Sequence, residues 1–134
     1  MDRKELMGFF NHRPRNCLLI TSNDEGKVNV AVYGSPAMID ENTVVLSTRE
    51  NRSYQYLRKN PQAAMIVVEP GEISRVSKGI RIYLEMTAIE TVGELLDKFK
   101  VEVGRRAGKE AAEGIKAAIR FKITEVRPLV DPIR

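Results

Sequence analysis

The sequence predicts an α+β domain in which six or seven antiparallel strands form a barrel and three or four helices pack outside it. Most apolar segments are joined by short polar turns of the hairpin type, such as Asn23-Asp24-Glu25-Gly26. Regular strand–helix alternation, which is typical of a parallel sheet, is missing, and so is a GxGxxG or Walker-type glycine loop. The 134 residues carry no linker or repeat and fit one domain over residues 1–134.

The first half of the chain predicts a helix, four strands and a second helix. In chain order these elements cover residues 2–11, 17–21, 27–33, 37–39, 43–47 and 52–59. Asp2 and Glu5 have the spacing of a capping box, which opens the first helix. The second strand alternates in character, and its two faces carry Val28, Val30 and Val32 on one side and Asn29, Ala31 and Tyr33 on the other.

The second half of the chain predicts three strands and two helices. The strands cover residues 63–68, 79–90 and 117–127, and the last helix covers residues 109–116. Thr91 and Glu94 repeat the capping-box spacing and predict the start of the third helix, because apolar residues at helical spacing follow them. Alternation in the long strand places five apolar side chains on one face, namely Ile80, Ile82, Leu84, Met86 and Ala88.

Composition excludes several kinds of active site. Cys17 is the only cysteine and lies in an apolar segment, which excludes disulfides within the chain and thiolate metal clusters. His12 is the only histidine and lies at the end of the first helix, so a zinc site or a histidine-dependent triad has little to build on. If the protein is an enzyme, we therefore expect a bound cofactor to supply the chemistry.

Charge and hydropathy indicate where the protein works and what it binds. No apolar run approaches the ~20 residues that a spanning helix needs, and the first residues do not resemble a signal peptide, so we expect a cytoplasmic protein that does not bind membranes. The net charge of +4 permits nucleic-acid binding, but the basic residues form separate islands and the chain has no tryptophan for base stacking. A nucleic-acid-binding barrel is therefore the disfavoured alternative.

The strand–turn–helix over residues 43–61 carries the most functional information. Its turn brings together hydroxyl, amide and guanidinium groups from Ser47, Thr48, Arg49, Asn51, Arg52 and Ser53. A helix N-terminus offers unpaired N–H groups to an anion, and guanidinium and hydroxyl groups suit a phosphate. A helix cap formed by Asn51 or Ser53, with solvated arginines, explains the same residues equally well.

The order of these elements and this turn resemble the FMN-binding split-barrel family of the pyridoxamine-phosphate-oxidase type. The resemblance covers nearly the whole chain and implies FMN as the cofactor. It places Arg52 and Ser53 at the FMN phosphate, residues 29–31 near the phosphate and ribityl chain, and the backbone of residues 47–49 along the pyrimidine edge of the flavin. The residues implied at the cofactor are Asn29, Val30, Ala31, Ser47, Thr48, Arg49, Asn51, Arg52 and Ser53.

Two departures from the family pattern narrow the expected function. The commoner motif reads Lys-x-x-Asn-Leu before the Asn-Pro stop, whereas this chain has Ser53-Tyr54-Gln55-Tyr56-Leu57, so phosphate binding depends on Arg52. The chain ends at Pro132-Ile133-Arg134, without the substrate-binding extension of true pyridoxamine-phosphate oxidases. We therefore expect an activity other than vitamin B6 oxidation.

The resemblance leaves several functions open. It implies a homodimer with the flavin near the subunit interface, acting as an oxidoreductase, a flavin reductase or a flavin-based electron-transfer protein. A carrier of flavin or deazaflavin without a substrate of its own is the first alternative. Haem is another possible guest of the same fold, but the single histidine gives it little support.

Overall fold

The structure, a computed structural model, describes residues 1–132 as seven strands and four helices; Ile133 and Arg134 lie outside the described residues. The first elements are α1 (Arg3–Asn11), β1 (Asn16–Ser22), β2 (Val28–Val32), β3 (Ala37–Asp40), β4 (Thr43–Thr48) and α2 (Arg52–Leu57). The rest are β5 (Gln62–Val68), β6 (Gly79–Glu90), α3 (Glu94–Ala107), α4 (Lys109–Glu113) and β7 (Ala117–Pro128). Each predicted strand is confirmed, and its ends lie within one residue of the prediction.

The seven strands form one antiparallel sheet in the order β2-β1-β5-β6-β7-β4-β3. Within the described residues, the two edge strands β2 and β3 do not pair with each other, so the barrel is not closed. This arrangement confirms the expected α+β fold with a split antiparallel barrel and helices around it.

A single main core lies inside the curved sheet. Side chains from α1, α2 and the strands meet there, and the largest fully buried ones include Phe10, Leu19, Leu46, Leu57, Met65, Ile82, Leu84, Ile119 and Phe121. Burying one such side chain contributes roughly 1.5–3 kcal/mol. Because strands from across the whole sheet contribute to one cluster, the sheet wraps around the core and presents its edges, β2 and β3, at the split.

The long strand β6 follows its predicted face only in part. Ile80, Ile82 and Leu84 are buried in the core as expected. The pairing of β6 with β7 then shifts between Met86 and Ala88, so that one extra residue interrupts the alternation. As a result Ile89, rather than Ala88, packs against the core beyond the shift.

The start of α3 differs from the prediction. The expected capping box of Thr91 and Glu94 is wrong, because the helix begins at Glu94 and Gly93 occupies the N-cap position without a side-chain hydrogen bond. Gly93 has a φ of 123°, a conformation that favours glycine. The helix packs on the outer side of β7, where Leu96, Ile115 and Ala118 form a second, smaller apolar cluster.

The α1 region agrees with the sequence analysis. Asp2 Oδ1 accepts a hydrogen bond from the backbone N–H of Glu5 at 2.8 Å, which confirms that Asp2 caps the helix. His12 is exposed at the C-terminal end of α1. Cys17 is buried on β1, and this burial raises the pKa of its thiol, so the group stays protonated at neutral pH.

Among the described residues, no helix combines the length and the apolar character that crossing a membrane requires. The cytoplasmic location stays a prediction.

Candidate functional site

The turn between β4 and α2 is organised by Asn51. Its Oδ1 accepts a hydrogen bond from the backbone N–H of Tyr54 at 3.0 Å, which caps α2. The capping role considered for Asn51 is therefore confirmed. The other end of the same amide, Nδ2, donates to the hydroxyl of Tyr33 at 3.1 Å. Asn51 thus links the start of α2 to the end of β2.

Tyr33 and Thr48 extend this network into the core. The Tyr33 hydroxyl lies 2.7 Å from Thr48 Oγ1, and both side chains are buried. Thr48 Oγ1 also donates to the backbone oxygen of Arg49 at 3.1 Å. Buried polar groups that satisfy one another hold a fixed arrangement, so the shape of the turn is set before any ligand arrives.

Sequence reasoning did not place Tyr33 at the site. The available signal was its position on the same face of β2 as Asn29 and Ala31. That alternation is correct, since the valines of β2 are exposed and the opposite face contacts the core and α2.

Asn29 and Ser53 come together as predicted. Asn29 Nδ2 donates to Ser53 Oγ at 3.2 Å and so joins β2 to the first turn of α2. Ser53 is only 1% exposed, whereas Asn29 is partly buried. Thr21 lies opposite Asn29 in the β1–β2 pairing and is also buried, and its Oγ1 has no hydrogen-bond partner among the described residues. This corner of the barrel therefore carries one buried hydroxyl, that of Thr21, for which the described residues provide no hydrogen bond.

The side chains of Arg52 and Arg49 have different surroundings. Arg52 is the first residue of α2 and is exposed, and it forms no ion pair with any described residue. The guanidinium of Arg49 lies against Gly114, where a Cβ would overlap it. Arg49 therefore reaches across to the segment after α4, while Arg52 stays beside Ser53.

A cavity of about 460 Å³ opens beside the turn. Five of the predicted residues line it: Ala31, Ser47, Thr48, Arg49 and Asn51. Four predicted residues do not line it: Asn29, Val30, Arg52 and Ser53. The side chain of Val30 is exposed on the outer face of β2, which leaves only its backbone for contact with a ligand on the inner side.

The opposite wall of the cavity comes from α3 and α4. Val103, Arg106, Ala107 and Ala111 line it together with Ile115, which follows α4. Sequence reasoning missed this wall, because its position depends on how α3 packs on β7 and not on a local motif. Among the described residues, no group of three or more histidine, cysteine, aspartate or glutamate side chains is arranged to hold a metal ion.

An open antiparallel barrel with outer helices and a polar strand–turn–helix at its split defines the class of small split-barrel proteins. The family model described as pyridoxamine 5'-phosphate oxidase matches residues 3–129, and the chain belongs to that family. No curated protein matches the sequence closely enough to count as a relative.

Several solved structures share this fold. An FMN-binding protein from Syntrophomonas wolfei subsp. wolfei aligns with a TM-score of 0.83 and 24% identity over 98% of this chain and 90% of that one. An F420 reductase aligns with a TM-score of 0.66 and 16% identity, covering 89% of this chain and 94% of its own. HutZ, described as the heme storage protein of Vibrio cholerae, aligns with a TM-score of 0.66 and 18% identity over 94% of each chain. At these identities the likeness establishes the fold.

Proposed function

We propose that the protein binds FMN at the β4–α2 turn and serves as an oxidoreductase or a flavin-based electron-transfer protein. The observation that carries the proposal is the hydrogen bond between Asn29 and Ser53, formed beside the exposed guanidinium of Arg52. This polar corner adjoins the turn that lines the 460 Å³ cavity. The family membership and the fold shared with an FMN-binding protein support the choice of FMN.

The FMN phosphate would be held mainly by side chains. Arg52 offers a planar fork of N–H donors that matches two phosphate oxygens at once. Ser53 Oγ accepts from Asn29 and keeps its own hydrogen to donate, and the Asn29 amide has a second N–H. Helix α2 has only six residues, so its dipole is a minor contribution beside the charge of Arg52.

The flavin ring would lie in the cavity along the backbone of residues 47–49. Thr48 and Asn51 are already engaged with Tyr33, so their role is to fix the shape of this wall. Ala31 and the backbone of Val30 leave room for the ribityl chain on the inner side of β2. When bound, the flavin supplies the electron or hydride chemistry, which none of these side chains provides.

FMN is favoured over the other cofactors considered for this fold. Haem binding commonly uses a histidine ligand, but His12 lines a different cavity, next to α1 and the start of β1. The F420 reductase shares the fold at 16% identity, and a deazaflavin remains the second candidate because it presents a similar ring and phosphate to the same turn.

The proposal is tested by titrating the full chain with FMN and following the quenching of flavin fluorescence. Removal of a charge-assisted contact costs about 1.5–3 kcal/mol, so Arg52→Ala should weaken FMN binding by roughly tenfold to a hundredfold. Arg75→Ala is the matched control, since Arg75 is an exposed arginine of the loop after β5. Equal FMN affinity of the wild type and the Arg52 variant would refute the phosphate assignment.

A second assay distinguishes an enzyme from an electron carrier. Turnover of NADH or NADPH with added FMN is the expected result for a flavin reductase. Tight FMN binding without turnover would instead support an electron carrier that has no substrate of its own.

We further propose that the protein is a homodimer through the outer face of β2 and its neighbours. The exposed apolar residues of this edge strand are Val28, Val30 and Val32, at 72%, 61% and 74% exposure. Leu18 and Ile20 continue the same face on β1, and Ile66 continues it on β5. An apolar surface of this kind on an edge strand marks an association site. Asn29 lies on the same strand, so this interface would adjoin the flavin.

Sedimentation equilibrium tests the dimer. Val30→Lys places a charge in the middle of the proposed interface and should yield a monomer. Ile73→Lys is the control, because Ile73 is equally exposed at 62% but lies in the loop after β5. A monomeric wild type, or a Val30→Lys variant that stays dimeric, would refute this interface.

A further inference from the structure

Thr21 carries a hydroxyl group that the fold buries without a partner. The side chain is 1% exposed, and its Oγ1 forms no hydrogen bond with residues 1–132. A buried hydroxyl of this kind costs free energy, because it has lost its hydrogen bonds to water and has gained none from the protein. A native structure that keeps such a group calls for an explanation, and a role that begins when a ligand binds is one.

The neighbours of Thr21 in the sheet leave one polar side chain beside it. Alternation on β1 places Thr21 on the buried face of the sheet, together with Leu19. Its paired residues are Asn29 on β2 and Ala63 on β5. Directly paired residues have side chains on the same face, with Cβ atoms about 4.5–5.5 Å apart. Because Ala63 offers no side-chain acceptor, Asn29 is the polar neighbour that Thr21 meets across the sheet.

The amide of Asn29 uses one of its two ends. Its Nδ2 donates to Ser53 Oγ at 3.2 Å, and no hydrogen bond from the described residues reaches its Oδ1. Asn29 is partly buried, so water solvates Oδ1 in the free protein. An amide oxygen accepts and a threonine hydroxyl donates. The unused oxygen of Asn29 and the unused O–H of Thr21 are therefore complementary, and they belong to paired residues.

The direction of the Asn29 amide decides whether this side chain attracts an anion. The Nδ2 end carries two N–H donors and suits a phosphate, whereas the Oδ1 end presents lone pairs and repels one. A donor on the buried side of Oδ1 favours the first direction, because it gives the oxygen a partner away from the ligand. Thr21 has the place and the free O–H that this requires.

We propose that Thr21 is a positioning residue for the phosphate bound at the β4–α2 turn. When the phosphate binds, Asn29 directs Nδ2 to the phosphate and to Ser53, and its Oδ1 accepts a hydrogen bond from Thr21 Oγ1. Thr21 acts through Asn29 and does not touch the ligand, because its side chain is almost completely buried. The inference rests on the proposed FMN site and adds that the free protein bears an unsatisfied hydroxyl which the bound phosphate relieves.

Thr21→Val tests the role of the hydroxyl, because valine keeps the shape of the side chain and removes the O–H. Without flavin, the variant should be at least as stable toward urea as the wild type, since it removes an unsatisfied buried group. It should nevertheless bind FMN about threefold to tenfold more weakly, since the hydrogen bond to Asn29 cannot form. Binding of riboflavin, which lacks the phosphate, should be unchanged.

Three further variants of the full chain separate the hydroxyl from packing. Thr21→Ser and Thr21→Ala both lose the methyl group, and only the serine keeps an O–H. The serine variant should retain the preference of the wild type for FMN over riboflavin, and the alanine variant should lose as much of it as the valine variant. Leu19→Val is the packing control, because Leu19 is buried on the same face of β1 and carries no polar group. It should lower stability and leave the preference unchanged.

The proposal is overturned if Thr21→Val keeps the full preference for FMN, or if it weakens FMN and riboflavin equally, as a change in packing would. A valine variant that is clearly less stable than the wild type without flavin also overturns it, because the hydroxyl would then already have a partner. In these cases the FMN proposal stands as long as the wild type prefers FMN. A wild type that binds neither flavin refutes the FMN site itself, and the role of Thr21 with it.

Discussion

The two walls of the cavity are built in different ways. The wall at the β4–α2 turn is held by hydrogen bonds among Asn51, Tyr33 and Thr48, the last two of which are buried. The wall at α3 and α4 is held by a small apolar cluster around Leu96 and by ion pairs at the surface. A fixed wall is suited to holding one cofactor, and a less constrained wall is suited to variation in what binds beside it.

The largest expected effect concerns the helical wall. Leu96→Ala removes the central side chain of the small cluster and should lower the stability of α3 by about 2–3 kcal/mol. Hydrogen exchange should then show faster exchange in α3 and α4, while the amides of β4 stay protected. Equal loss of protection in β4 would contradict the view that the two walls are held independently.

The next effect concerns the fixed wall. Asn51→Ala removes the cap of α2 and leaves the Tyr33 hydroxyl with fewer partners, so the free energy of unfolding should fall by about 2 kcal/mol. Asn51→Asp keeps the acceptor for the Tyr54 N–H and should recover part of this loss. Urea denaturation measures both variants, and an Asn51→Ala variant as stable as the wild type would show that the network does not hold the turn.

A smaller effect is expected from Ser53→Ala. The variant loses the hydrogen bond from Asn29, which should cost about 1 kcal/mol of stability and a similar amount of FMN affinity. Val126→Ala, away from the cavities, serves as a stability-matched control for the flavin titration. If both variants bind FMN with the same affinity, Ser53 has no part in phosphate binding.

The smallest effect is a change with pH at the helical wall. The pKa of Glu102 is lowered, chiefly by its hydrogen bond with Arg105, so its contribution to stability is fully present above the ordinary glutamate pKa. That contribution is lost only as the pH falls through the lowered value. We expect the stability difference between the wild type and Glu102→Gln to be constant from neutral pH down to about pH 5 and to disappear at lower pH, where Glu102 is protonated and loses its ion pairs with Arg105 and Arg106. A difference that persists in that acid range would contradict this role of Glu102.

The same contrast explains how much of the molecule the sequence predicts. Short polar turns and alternating apolar residues are local signals, and they predicted every strand from β1 to β7. Asn51 and Ser53 also lie in a local motif. The family resemblance placed Asn29 and Ser53 near the same phosphate, but it did not predict the hydrogen bond between them.

What the sequence did not predict depends on contacts between distant segments. The wall residue Arg106 lines the cavity only because α3 packs on the outside of β7. The exchange of faces beyond Met86 arises from a shift in the pairing of β6 with β7 between Met86 and Ala88, which no local pattern records. The start of α3 followed Gly93 and its positive φ, which outweighed the capping-box spacing of Thr91 and Glu94.

The central claim is that the β4–α2 turn binds the phosphate of FMN. The most direct measurement compares the dissociation constants of FMN and riboflavin, which differ only in that phosphate, for the wild type and for Arg52→Ala. The account predicts that the wild type binds FMN at least about tenfold more tightly than riboflavin, and that most of this preference disappears in the variant. Equal binding of FMN and riboflavin by the wild type would contradict it.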